Sequence, residues 1–279
     1  MPTYFIELKI ESSLLILKLK MYFALSKIDL TDVFAVWRRN SRVYLRLWKT
    51  ELIAPIIEPI FTFFAFGFGV GALVTSQING MSYLAFVGAG VLAFTVLMRA
   101  IFEMTYGAYF RMVYQSTFDA ILATPVNAES LAFGEILWAV SKGVIDTIFI
   151  LPLIVIFGSA TSAFMPLAIL PLTIGCLYLG SLALGLTAHI VEIDHFNVFF
   201  ALFFSTIFLC GAWFPVELLP GWLQIIAYIL PTTAVIDLTR ACLNGNFVAR
   251  HIYESIYLLL VSILLLEWAL RSIRKRMVV

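Results

Sequence analysis

Residues 83–98 read YLAFVGAGVLAFTVLM, and no charge interrupts them until Arg99. Apolar character then continues to Tyr106, so residues 83–106 form one hydrophobic stretch. The hydrocarbon core of a bilayer takes about 20 apolar residues of helix to cross, and this stretch meets that length. Working outward, similar runs occupy 52–75, 132–157, 165–190, 197–214 and 253–271. The chain of 279 residues is 62% hydrophobic and only 13% charged, with a mean hydropathy of +1.00. A soluble domain is nearer half apolar and a quarter charged, so lipid is the expected solvent. A further apolar stretch, 215–240, is punctuated by Pro215, Pro220, Gly221 and Pro231 and carries Glu217, Asp237 and Arg240. It reads as a re-entrant hairpin, because irregular backbone is tolerated at membrane depth only where protein or water satisfies it. The expectation is an all-α membrane protein with six transmembrane helices and a re-entrant helical hairpin between the fifth and sixth.

Charge is placed unevenly. Of 18 basic residues, nine (Lys9, Lys18, Lys20, Lys27, Arg38, Arg39, Arg42, Arg46 and Lys49) precede the first span, and Arg271, Arg274, Lys275 and Arg276 close the chain. The connections near 76–82 and 158–164 contain none. Basic residues stay on the cytoplasmic side, so both termini are expected there, with an even number of crossings between them. Residues 28–50 read as an amphipathic interfacial elbow helix. Phe34, Trp37 and Trp48, with Leu30 and Tyr44, recur on one side and Arg39, Arg42, Arg46 and Lys49 on another, a pattern suited to the headgroup layer. Residues 1–27 form an N-terminal extension in which Met21 is an alternative start, since the stretch mixes charged and apolar residues and lacks a signal-cleavage site. Residues 51–279 make up one membrane domain. Cys176, Cys210 and Cys242 lie too far apart for a metal-ligand motif, and no disulfide is expected.

The chemistry-bearing side chains exclude several functions. No glycine is followed by lysine anywhere, so there is no Walker-type phosphate loop. Gly67, Gly69 and Gly71 lie inside a hydrophobic run, where small residues serve close helix packing. His189, Glu192, Asp194 and His195 are metal-ligand types, but they fall in a short connection without a second ligand cluster. No nucleophile–base arrangement is visible, and with three histidines in the chain neither an enzyme nor a metal site is expected. Ionisable residues inside the spans cost roughly 2.5–3.5 kcal/mol each on insertion scales. Arg99 and Glu103 stand one helical turn apart, as do Lys142 and Asp146 with Glu135 before them, and the spacing predicts pairing within each helix. Glu58 has no such partner and is the stronger functional candidate. Between the second and third spans, residues 107–129 combine Arg111, Gln115, Thr117 and Asp119 with Phe118, Ile121 and Leu122. They predict a short amphipathic element whose apolar side fits a partner's groove.

Three segments carry a family resemblance. They are Ile57-Glu58-Pro59 with Gly67, Gly69 and Gly71; FDAILATPV at 118–126; and GAWFPVELLPGW at 211–222, continuing to Leu230-Pro231 and Asp237-Leu238-Thr239-Arg240. In order and spacing the chain resembles the ABC-2 type permeases over about residues 28–279, most closely the branch that exports lipo-oligosaccharides. That resemblance implies a bacterial inner-membrane exporter subunit. It would work as two copies bound to two copies of a separate ATPase, which holds ATP and Mg, while this chain binds no cofactor. Arg111, Tyr114, Phe118, Asp119, Leu122, Thr124 and Pro125 would then belong to a coupling helix against the ATPase. Phe214, Pro215, Glu217, Pro220, Trp222, Tyr228, Pro231 and Arg240 would belong to a re-entrant gate. The substrate class implied is an amphiphilic, glycolipid-like oligosaccharide, with membrane lipids as neighbours and no nucleic acid. The alternatives are export of drugs or of polyprenyl-linked polysaccharide, or a proton-coupled secondary transporter using the buried acids.

Overall fold

The computed structural model describes residues 23–74, 77, 78, 80–160 and 162–278. The extension expected over 1–27, including the alternative start at Met21, lies for the most part outside the described residues. The secondary structure is helical, and the described residues form no strand beyond an isolated bridge between Ile78 and Met81. Helix α1 runs from Leu30 to Thr62 and continues in π-helical form over Phe63–Val70. Helix α2 is Tyr83–Phe102, prolonged by two π-helical turns to Tyr114. After it come α3 (Thr117–Leu122), α4 (Ala128–Ile156), α5 (Ile169–Thr187) and α6 (Phe196–Leu209). The chain ends in α7 (Gly221–Ile229), α8 (Pro231–Asn244) and α9 (Arg250–Met277).

Five of these helices, α1, α2, α4, α5 and α9, are long and apolar enough to cross a membrane. The expected fifth span, 197–214, is shorter than predicted. Helix α6 has 14 residues, or about 21 Å at 1.5 Å per residue. It stops because Gly211 takes a left-handed φ of 74° and Pro215 follows, neither of which continues a helix. The next two helices form the hairpin expected over 214–240: α7 and α8 meet at an angle of 83°. The bend falls at Leu230-Pro231, with Leu230 in extended backbone and Pro231 at the first position of α8, where its missing N–H is no loss.

One boundary differs from the sequence reading. The elbow helix and the first span form one continuous helix, because residues 30–54 contain neither Gly nor Pro to break it. Its start is capped by Asp29, whose side chain accepts from the Thr31 N–H. That hydrogen bond holds the Asp29 carboxyl below its usual range. The expected split into aromatic and cationic sides holds only in part. Phe34, Arg42, Arg46 and Trp48 are exposed. Trp37 and Arg39 turn inward instead: the Trp37 indole donates to Ser141 Oγ at 2.9 Å, and the Arg39 guanidinium reaches Asn40 and Thr117.

Helix α2 sits at the centre, with most of Tyr83–Ile101 buried, and packs on α4, α5 and α8. Lipid-soluble helices gain little from apolar attraction to one another, so close packing of small residues decides the contacts. Gly90 is the clearest case. A Cβ there would lie 2.0 Å from the Ala212 carbonyl oxygen, so only glycine lets α2 touch the backbone of the α6–α7 connection. Of the three glycines in the first span, Gly67 packs closely on Leu84, while Gly69 meets nothing beyond its own helix.

Candidate functional site

At the end of the bundle that carries α3, seven ionisable side chains from three helices join in one network. Glu51 comes from α1, Arg99, Glu103 and Arg111 from α2 and its extension, and Glu135, Lys142 and Asp146 from α4. Arg99 Nη2 contacts Glu51 at 2.8 Å, and its Nε faces Asp146 at 3.2 Å. Lys142 Nζ bridges Glu51 at 3.0 Å and Glu103 at 2.8 Å. Arg111 spans Glu103 at 2.9 Å and Glu135 at 2.7 Å. Asn40 completes the set by donating to Glu135 at 3.0 Å. The sequence reading paired Arg99 with Glu103 and Lys142 with Asp146 inside their own helices. The structure corrects this: Arg99 pairs with Glu51 of α1 and Asp146 of α4, and Lys142 with Glu51 of α1 and Glu103 of α2, so these pairs bind helices together instead of neutralising one.

A backbone detail explains why Arg99 stands where it does. Pro55 has no N–H, so the carbonyl of Glu51, four residues back, loses its helical donor. Arg99 Nη2 donates to that carbonyl at 2.9 Å and to the Glu51 carboxylate as well. A cavity of about 330 Å³ opens onto the network and is lined by Arg39, Tyr44, Phe110 and Trp138, among others. Glu51 was not singled out from sequence because it lies at the edge of the first span; its signal was the Pro55 four residues on. Glu58 has no ion-pair partner among the described residues, as its sequence spacing suggests. It is exposed on α1, beside the outward-facing Ile57 and Phe61, and is not in the network.

The segment expected to dock a partner divides in two. Residues 107–114 continue the α2 rod, which places Arg111 in the network and leaves Tyr114 exposed at the tip. The rod ends at Ser116, a non-glycine residue with φ 47°, and α3 adds six residues beyond it. Phe118 is fully buried in the chain's own core, and Ile121 and Leu122 are partly so. The apolar side is therefore already occupied, contrary to the sequence reading. The outward face consists of Asp119, Ala120, Ala123, Thr124 and Pro125. The loop holding His189, Glu192, Asp194 and His195 joins α5 to α6, and His189 stacks on Trp268.

At the opposite end, the hairpin is locked to α2. Arg240 Nη1 bonds Asp237 at 2.9 Å, Nη2 donates to the Gly211 carbonyl at 2.6 Å, and the guanidinium lies 3.9 Å over the Phe86 ring. Tyr83 donates to the Trp213 carbonyl at 3.2 Å. Arg250, at the start of α9, ties Asp237 at 2.6 Å and Glu254 at 2.7 Å. Tyr228 donates to Glu217 at 3.0 Å. Phe214 and Pro215 are half-buried, Pro220 and Trp222 face outward, and Pro231 sits in the bend.

A family model for ABC-2 type transporters matches residues 31–244, from the start of α1 to the end of the hairpin. The chain belongs to the ABC-2 type transporter family. Nodulation protein J of Bradyrhizobium diazoefficiens is 33% identical over 207 residues, which is 74% of this chain and 79% of that protein. Nodulation protein J of Sinorhizobium fredii is 31% identical over 239 residues, 84% of this chain and 90% of the relative. The inner membrane transport permease YadH of Escherichia coli is 23% identical over 109 residues, covering 39% of this chain and 42% of its own. As an ABC-2 type permease the chain is a multi-pass transmembrane subunit, and ATP hydrolysis belongs to a separate subunit.

Proposed function

We propose that this ABC-2 permease is the membrane-spanning half of an ATP-driven exporter moving an amphiphilic oligosaccharide across the bacterial inner membrane. The observation that carries the reading is the α2 rod. Its first turns touch the hairpin through Phe86 and the connection leading into it through Tyr83 and Gly90, and its last turn leads into α3. Over 32 residues it spans roughly 48 Å, so a displacement at α3 reaches the hairpin without an intervening flexible joint. Packed elements of this kind switch between discrete arrangements, and a partner shifts them only through differential affinity for the two states.

In this reading two permease chains join two ATPase subunits. Asp119, Thr124 and Pro125 meet the ATPase, Phe118 anchors α3 to the bundle, and the Arg111 network passes the motion to α1 and α4. Both termini are cytoplasmic, as the basic residues up to Lys49 and in the last turn of α9 favour. ATP and Mg reside on the ATPase. A carboxylate such as Glu58 is costly against lipid, and a second copy packed along α1 with a water-lined path between the chains relieves that cost. The substrate class follows the lipo-oligosaccharide branch that the sequence resembles.

Purification in mild detergent from native membranes, with a search for an ATPase subunit that comes along, tests the reading. The expected result is co-purification, with ATP hydrolysis stimulated by an amphiphilic glycolipid in the assembled complex. The permease alone in liposomes is expected to be inert. Export by the isolated chain under a pH gradient would replace this reading with a proton-coupled transporter.

A further inference from the structure

The first two turns of α9 present Arg250, Tyr253, Glu254 and Tyr257 at i, i+3, i+4 and i+7, which is one helical face. Tyr228 of α7 faces them, and the five residues line a cleft of about 430 Å³ on the hairpin side of the bundle. Two tyrosine hydroxyls of the cleft are held by partners in the chain. Tyr228 donates its hydroxyl to Glu217, and Tyr257 donates to the Ile229 carbonyl at 2.5 Å. Tyrosines that anchor a membrane interface instead turn the hydroxyl to water and the ring to lipid. The Arg250 guanidinium lies 5.5 Å over the Tyr228 ring, so the open ring surface comes chiefly from Tyr253, whose ring is 73% exposed, and from the outer part of Tyr257. Arg250 is held on both sides by Asp237 and Glu254, yet half of its side chain remains exposed. The second Glu254 oxygen is buried beneath the cleft floor and has no hydrogen-bond partner.

We infer that this cleft binds a neutral saccharide. Sugar rings offer apolar C–H faces for aromatic stacking and a rim of hydroxyls that both donate and accept. The cleft supplies tyrosine ring surface and a guanidinium donor in a fixed frame. A second cavity shares Tyr228 and Arg250 with the cleft and is lined also by Glu217, Asp237 and Arg240; across the two, three carboxylates outnumber the two guanidinium groups, so an anionic headgroup fits poorly. The inference rests on the export reading above and gives it a contact for the sugar head on the outer side of the membrane.

The test uses the permease with its ATPase subunit in phosphatidylcholine nanodiscs, probed with neutral tetrasaccharides of glucose and of N-acetylglucosamine by saturation-transfer NMR. Wild type is expected to transfer saturation to sugar-ring protons. Tyr253→Ala should weaken binding roughly tenfold, about the worth of one stacked ring, while Tyr253→Phe should retain it. Tyr253 is exposed, so its truncation leaves folding intact. No transfer in wild type, or equal transfer in Tyr253→Ala, overturns the cleft. Glycolipid-stimulated ATP hydrolysis is read on the same samples. Stimulation without a saccharide signal removes the cleft and leaves the export reading standing; a Tyr253-dependent signal without stimulation does the reverse.

Discussion

Arg111 is the side chain on which the inner network turns, since its guanidinium alone joins Glu103 of its own rod to Glu135 of α4. A planar fork reaches two carboxylates at 2.9 and 2.7 Å in a way a lysine ammonium cannot. Removing one partner of a buried ion pair strands the others, at about 3–5 kcal/mol. Arg111→Ala is therefore expected to lower the thermal unfolding midpoint of the detergent-solubilised complex clearly, with Arg111→Lys recovering only part of it. A double change, Arg111→Met with Glu103→Gln, removes opposite charges together and should be milder than Arg111→Ala; a harsher double variant would refute the pairing. Arg99, Glu103, Glu135, Lys142 and Asp146 were visible in the sequence as charges in greasy segments, and Arg111 as part of the polar stretch after the second span. Their partners were not, because periodicity along one helix says nothing about which neighbour it meets.

Helix α3 is too short to hold itself together, since isolated helices under about 12 residues are marginal in water. Its six residues persist because Phe118 is buried and because the turn at Ser116 takes a left-handed conformation. Phe118→Ala is expected to leave membrane insertion unchanged and to abolish substrate-stimulated ATP hydrolysis, as α3 detaches from the bundle. Asp119→Lys, on the outward face, should weaken recovery of the ATPase without lowering the permease's thermal midpoint. Normal stimulation in both variants would show that α3 is not the docking element. Sequence periodicity located this element and misjudged its orientation: Phe118, Ile121 and Leu122 had no visible partner in the chain, and only folding supplies the core that covers them. The merged elbow and first span is a similar case, since amphipathicity can suggest a boundary where the backbone has no reason to break.

At the scale of the whole molecule, the exposed face of α1 has Ile53, Ile57, Phe61, Phe64 and Phe68 in helical register, with Glu58 beside them. An entirely apolar stripe would suit lipid; a carboxylate in it favours a second copy. Phe61→Cys is expected to give a disulfide-linked dimer under mild oxidation in native membranes, read as a doubled mass on a non-reducing gel, and a persistent monomer would remove α1 from the dimer contact. Composition and hydropathy were enough for an all-helical membrane chain, five of its span positions and the proline-broken hairpin, because each follows from the cost of exposing polar groups or charge to hydrocarbon. The family, too, was legible in three short segments. Which charges pair across helices, which side of α3 is already covered, and that one rod joins α3 to the hairpin were decided only in three dimensions. Those facts depend on contacts between residues distant in the chain, and a contact energy has no signature in local order.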